Sequence, residues 1–148
     1  MLKKMLPLAV LCFAPFVLAK ELAFSFDDGV NPDTNPAATQ INQDILSQLK
    51  AADVSAIVFP SLIKMGTGEG LNLIADWGKA GHKIGNHSEQ HLNLNKPDVT
   101  LPQYLDGIGK AEAALKDMAG WTPRYRFPFL KEGDTAEKRD GVRQWLQT

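Results

Sequence analysis

Along this chain, short apolar runs alternate with stretches in which apolar residues recur every three or four positions. Leu22 to Phe26 reads as a strand. Asn35 followed by Pro36 predicts a helix start, with Asn as N-cap and Pro at the first helical position. Ile41, Ile45, Leu46 and Leu49 then share one helical face. Val54 to Phe59, rich in β-branched and aromatic residues, predicts a second strand closed by Pro60. The run GTGEG (66–70) reads as a flexible loop. Leu71, Leu73, Ile74 and Trp77 predict a short helix stopped by Gly78 and Gly81. His82 to Asn86 is a third strand. Thr100 with Gln103 resembles a capping box for a helix whose buried face is Leu101, Leu105, Ile108, Leu115 and Met118, ended by Gly120. Arg124 to Phe127 predicts a fourth strand. Asp134 with Glu137 forms another capping-box pattern, opening a helix with Val142, Trp145 and Leu146 inward.

Strand and helix thus alternate four times, with no sequence repeat. This order predicts an α/β fold of parallel strands joined by helical crossovers. Four units do not close a barrel, which takes about eight strands. The chain stops at Thr148, just after an apolar helical face that should pack on a following strand. The expectation is therefore a fragment or truncated product, with a four-stranded open sheet as the alternative.

The first residues change this picture. MLKKMLPLAVLCFAPFVLA has a basic start at Lys3 and Lys4, an apolar run, and small residues suited to cleavage after Ala19. Its apolar part, from Met5 to Ala19, is short for a membrane span, which needs roughly 20 residues. A cleaved secretory signal over 1–19 is expected, and an exported domain, periplasmic or secreted, over 20–148. Cys12 is the only cysteine and lies in the signal, so any metal site in the mature chain must use His and carboxylate. With Lys3 and Lys4 gone, 14 basic residues of the original 16 face 17 acidic ones, for a mature net charge near −3. That balance gives no electrostatic case for nucleic acid, and no stable membrane span is expected after cleavage.

Three polar clusters follow strands at one topological position. Asp27-Asp28-Gly29 follows the first strand, the run NHSEQH (86–91) the third, and Arg126-Phe127-Pro128-Phe129 the fourth. Parallel α/β folds build sites where strands deliver their C-terminal ends. His87 and His91 are four apart, a spacing that puts both imidazoles on one face of a helical turn and can hold a metal between two nitrogens. Two His and one carboxylate make an open hydrolytic zinc site. Asp27 or Asp28 can complete it. Glu89 is a rival ligand that would point away from that face of a helix. By itself Asp-Gly is a common turn dipeptide, and two His four apart are more often surface residues. His82, at the far edge of the third strand, is assigned no role.

In this order, SFDDG, HSEQH and RFPF, with GHKIGNH leading into the His pair, resemble the first three motifs of the polysaccharide deacetylases, carbohydrate esterase family 4. The resemblance covers nearly all of the mature chain. It implies about four β/α units of a distorted (β/α) barrel of seven to eight strands. It also implies removal of acetyl groups from N- or O-acetylated sugars with a divalent metal, usually zinc. Asp28, His87 and His91 would bind the metal. Asp27 would be the general base, and Arg126 would pair with it and keep it ionised. Pro128 and Phe129 would line the groove beside the acetyl group. Pro128 has no N–H to give, so the Phe129 main chain is the candidate donor to the oxyanion. The expected partner is an acetylated polysaccharide or oligosaccharide.

The sequence departs from the family in three places. Ser25 stands where Thr is commoner, and Phe129 where Tyr is frequent. The two later motifs, including the histidine that protonates the leaving group, have no counterpart before Thr148. Two other functions therefore stay open: a truncated, non-catalytic sugar-binding or vestigial module, and a metallohydrolase of another acyl amide.

Overall fold

The computed structural model describes residues 22–66 and 68–148; the expected signal over 1–19 lies outside them. The alternation predicted from the sequence forms one parallel sheet. Its strands are β1 (Phe24–Asp28), β2 (Ala56–Pro60), β3 (Lys83–Asn86) and β4 (Trp121–Tyr125), paired in the order β1-β2-β3-β4. Sequential order with parallel pairing means each crossover moves the chain one strand onward in the same direction. That is the growth pattern of a (β/α) barrel, and the sheet is an open part of one. No described helix is long and apolar enough to cross a membrane.

The helices are α1 (Ala38–Ala51), α2 (Leu62–Met65), α3 (Gly68–Lys79), α4 (Leu101–Leu115) and α5 (Ala136–Trp145). The main core lies between the sheet and α1, α3 and α4, around Leu49, Val58, Ile74, Trp77, Ile84 and Leu115. A second cluster, Leu94, Val99, Tyr104, Ile108 and Val142, fixes α4 and α5 against the loop after β3.

Several element boundaries differ from the sequence pattern, each for a local reason. Helix α1 starts at Ala38; Asn35 instead accepts the Ala37 N–H at 3.0 Å, a turn just ahead of the helix. Its inward face includes Asn42, which accepts from Trp77 Nε1 at 2.8 Å and donates to the Leu73 carbonyl at 3.1 Å, while Ile41 is exposed. Helix α3 begins within the glycine-rich run and continues through Gly78. A Cβ at Gly78 would lie 1.8 Å from the Ala119 carbonyl oxygen, so this glycine marks close packing rather than a helix stop. Helix α4 ends at Leu115, and Gly120, at φ +81, leads the chain into β4 close against His82. Strand β4 starts earlier than expected and tolerates Pro123 because it is an edge of the described sheet. At α5 the cap is Thr135, which accepts the Lys138 N–H at 3.2 Å; Asp134 pairs with the Lys138 ammonium instead. Val142 is buried there, but Leu146 is exposed.

Candidate active site

The C-terminal ends of β1, β3 and β4 carry the three polar clusters to one edge of the sheet. Asp27 and Asp28 are the last residues of β1, in register with Phe59 and Pro60 of β2. Asp28 has φ +71, a left-handed conformation that is uncommon outside glycine and tolerated best by Asp and Asn. It breaks the strand's alternation, so the two neighbouring carboxylates serve different contacts.

Asp28 Oδ1 lies 3.2 Å from His91 Nε2 and 3.8 Å from His87 Nε2. One ligand atom from each of Asp28, His87 and His91 lies within 4.8 Å of the others. Two observations test whether this set fits a cation. Asp28 Oδ1 is buried with no hydrogen-bond partner, as an oxygen awaiting an electropositive neighbour would be. His87 Nδ1 is 2.7 Å from the Arg126 carbonyl oxygen; a carbonyl only accepts, so Nδ1 carries the proton and Nε2 presents a free lone pair toward Asp28. Two imidazoles and one carboxylate are donors suited to zinc. The residues fit a divalent cation.

The His pair is not on a helical turn. Residues 87–91 form an irregular loop, with left-handed backbone at Ser88 (φ +70) and His91 (φ +52). The loop folds back so that the two rings meet edge to face at 4.9 Å. Buried polar groups hold this shape. Asn86 Oδ1 accepts the Ser88 N–H at 2.8 Å, its Nδ2 donates to the Ile108 carbonyl, and Ser88 Oγ accepts the His91 N–H. Beneath it Tyr125 donates to the Tyr104 hydroxyl at 2.9 Å. Burial pushes the Tyr104 hydroxyl up to about 12 and raises Tyr125 as well, so both hydroxyls stay protonated. Glu89 does point away from the ligand group, toward the Lys110 ammonium at 3.6 Å, but loop geometry rather than a helix face turns it there.

Burial lowers the His91 pKa, opposed by the Asp28 charge and assisted by His87 and Lys64. That direction favours the neutral ring, the form a metal-binding imidazole needs. His82 lies at the opposite edge, buried, with Nδ1 accepting the Ala56 N–H at 3.3 Å. It is a satisfied core histidine.

Asp27 faces a different partner. Arg126 Nη1 donates to Asp27 Oδ1 at 2.7 Å and to Ser25 Oγ at 3.1 Å. The two side chains are partly exposed, so in isolation the pair would contribute little stability; its effect is to orient the carboxylate. Pro128 is buried, whereas Phe129 is exposed and its ring lies 4.6 Å from that of His91. Phe129 and Leu130 both have φ +56. The Leu130 and Lys131 N–H groups bond back to the Phe127 and Pro128 carbonyls. The sequence reading had not singled out Asn86, Ser88, Tyr125 or Phe59. Asn and Ser just after a strand are the residues that stabilise irregular loops, and that was the available signal.

A cleft of about 500 Å³ lies beside Lys50, Lys79 and His82, at the other edge of the sheet. A second, of about 410 Å³, follows β4 and α5. Neither contains a member of the Asp28, His87 and His91 group.

A family model described as polysaccharide deacetylase matches residues 17–145. The peptidoglycan-N-acetylglucosamine deacetylase of Bacillus cereus is 33% identical over 108 residues, which is 73% of this chain and 35% of that protein. The chain therefore spans about a third of the length of this curated relative. Among solved structures, a peptidoglycan N-acetylglucosamine deacetylase in complex with a naphthalenyl-substituted N-oxidanyl-benzamide superposes with TM-score 0.64 at 27% identity, covering 82% of this chain and 52% of that one. A family 4 carbohydrate esterase from Streptomyces lividans in complex with acetate gives 0.62 at 21%, covering 84% and 58%. A family 4 pseudoenzyme from Bacillus anthracis gives 0.60 at 20%, covering 84% and 40%. The last two likenesses speak to the fold alone.

Proposed function

The chain belongs to the polysaccharide deacetylase family, and from that premise we propose that it hydrolyses acetyl groups from an acetylated glycan with the help of a divalent cation, most simply Zn²⁺. The observation that carries this reading is the convergence of Asp28, His87 and His91 within 4.8 Å, beside a separate Asp27–Arg126 pair.

Asp28 Oδ1 and the two Nε2 atoms would hold the cation. When bound, it would supply Lewis-acid polarisation of the acetyl carbonyl and a lowered pKa for an attacking water. Asp27 takes the proton from that water, and Arg126 keeps its carboxylate ionised and aimed at the reacting centre. The tetrahedral oxyanion needs a fixed donor. The Phe129 N–H is the proposed one, supported by the turn that uses the next two N–H groups for itself. The exposed Phe129 ring and buried Pro128 would form the wall beside the acetyl methyl. Action outside the cytoplasm, periplasmic or secreted, is supported by the signal-like first 19 residues and by a relative named for peptidoglycan.

A second reading, a sugar-binding module without turnover, has one observation in its favour. Among the described residues, His87 and His91 face Asp28 and His82 is at the far edge, so these residues place no further imidazole beside the leaving amine. Zinc-loaded protein incubated with N-acetylglucosamine oligomers and O-acetylated xylan separates the readings. Acetate release that disappears on chelation and returns with zinc supports the deacetylase. A folded, zinc-loaded protein that binds glycan and releases no acetate supports the module.

A further inference from the structure

Arg126 follows β4, yet its guanidinium reaches Asp27 on β1, across the width of the sheet. The intervening surface is specialised. The Arg126 guanidinium carbon sits 4.2 Å above the centre of the Phe59 ring, on β2. Phe59 is the register partner of Asp27. Its ring in turn occupies the space where Gly85, on β3, would carry a side chain: a Cβ there would lie 2.6 Å from two ring carbons. From β1 to the end of β4, an acid, an aromatic floor, a missing side chain and a cation therefore form one row.

From this row we propose that Phe59 is a positioning residue for the base: it holds the Arg126 guanidinium flat so that Nη1 meets Asp27, and Gly85 is the vacancy that lets its ring lie there. The proposal rests on the reading of Asp27 as the general base. The physical reason is twofold. An arginine side chain has several rotamers of similar energy, most of them directed into water. A ring face attracts the cation and excludes water from one side of it, which selects the rotamer already in contact with the acid. Phe59 is itself buried, and its ring lies against Gly85 on β3. Phe59 is not one of the three proposed ligands, and it faces the Arg126 guanidinium, whereas His87 meets the Arg126 carbonyl.

The test uses Phe59→Leu and, as a second variant that fills the same space more adaptably, Phe59→Met, both in the full chain loaded with zinc. Melting temperature and zinc stoichiometry establish that each variant is folded and loaded. In the unsubstituted protein, NMR should resolve the Arg126 Nη1 and Nη2 protons separately, because the bond to Asp27 arrests guanidinium rotation. In the variants these signals should merge. Turnover should fall about tenfold at unchanged KM. Separate Nη signals retained in both variants would overturn the proposal, with or without turnover. If the unsubstituted protein releases no acetate but the signals still merge in the variants, the deacetylase reading fails and the positioning role of Phe59 stands.

Discussion

His87 Nδ1 and the Arg126 carbonyl oxygen are 2.7 Å apart, so one residue steers both halves of the site. The Arg126 main chain fixes an imidazole of the proposed metal site, and its side chain fixes Asp27. In the proposed mechanism a metal ligand and a base must sit at a set separation to act on one water, and a shared anchor just after β4 couples the positions of His87 and Asp27.

The first prediction concerns that contact. With Nδ1–H committed to a carbonyl, metal-free His87 should be held in the Nδ1–H tautomer. Long-range ¹H–¹⁵N spectra above pH 7 should show a protonated Nδ1 and a bare Nε2. A dominant Nε2–H form would contradict the geometry and remove the ring from the ligand set.

The second separates the adjacent acids. Asp28→Ala removes the buried oxygen between the two imidazoles, so zinc affinity should fall by roughly 100-fold or more. Asp27→Asn keeps the volume and leaves that oxygen in place. It should retain zinc while turnover falls about 10²- to 10⁴-fold. Zinc titration and acetate release on both variants check this, and equal zinc loss in the two would refute the division of labour.

The division shows how far the sequence could be read. Alternating strand and helix patterns, with acids and histidines after the strands, pointed to the sheet edge, but they left open which of Asp27 and Asp28 joins the histidines; only the family resemblance chose Asp28. The route by which Asp28 and the histidines converge was hidden. The spacing of His87 and His91 matches a helix, but Asn86 and Ser88 capture backbone N–H groups and turn the loop left-handed. Side-chain competition for the backbone overrides a four-residue period, and periodicity has no term for it. Phe59 read as an ordinary core residue of β2, because the cation above it comes from 67 positions further along the chain. Likewise Gly78 read as a stop, because Ala119, which requires it, belongs to a different segment.

The third prediction is a pH dependence of stability from His82. Its Nδ1 accepts the Ala56 N–H, and burial lowers its pKa below the ordinary 6.5. Above 6.5 neither folded nor unfolded chain is protonated there, and the contribution is complete. As pH falls through 6.5 the unfolded chain takes up the proton first, so stability declines until the lowered folded pKa is passed. Urea midpoints should therefore drop between pH 7.5 and 5.5. His91, lowered in the same direction, adds to the drop. His82→Gln should shrink it without eliminating it, at a cost in stability at pH 7.5 if the Ala56 N–H loses its acceptor. An undiminished drop in the variant would exclude His82 as a source.

The fourth prediction sets helix propensity against packing at Gly78. Replacing a mid-helix glycine by alanine gains up to about 1 kcal/mol where space allows. Here the added Cβ would lie 1.8 Å from the carbonyl oxygen of Ala119 and 2.6 Å from its carbonyl carbon. The obstacle is backbone, in the turn that feeds β4, so it cannot be relieved by a rotamer change. Either α3 or that turn must move, and the Ile84 methyl at 3.3 Å blocks one direction. Overpacking of this kind costs about 1–3 kcal/mol or more. Gly78→Ala should therefore destabilise on balance, with a lowered urea midpoint. Because β4 carries Arg126 into the site, the variant should also weaken the Arg126–Asp27 contact more than zinc binding. A gain in stability would mean that the approach of α3 to the β4 turn is looser than the structure has it.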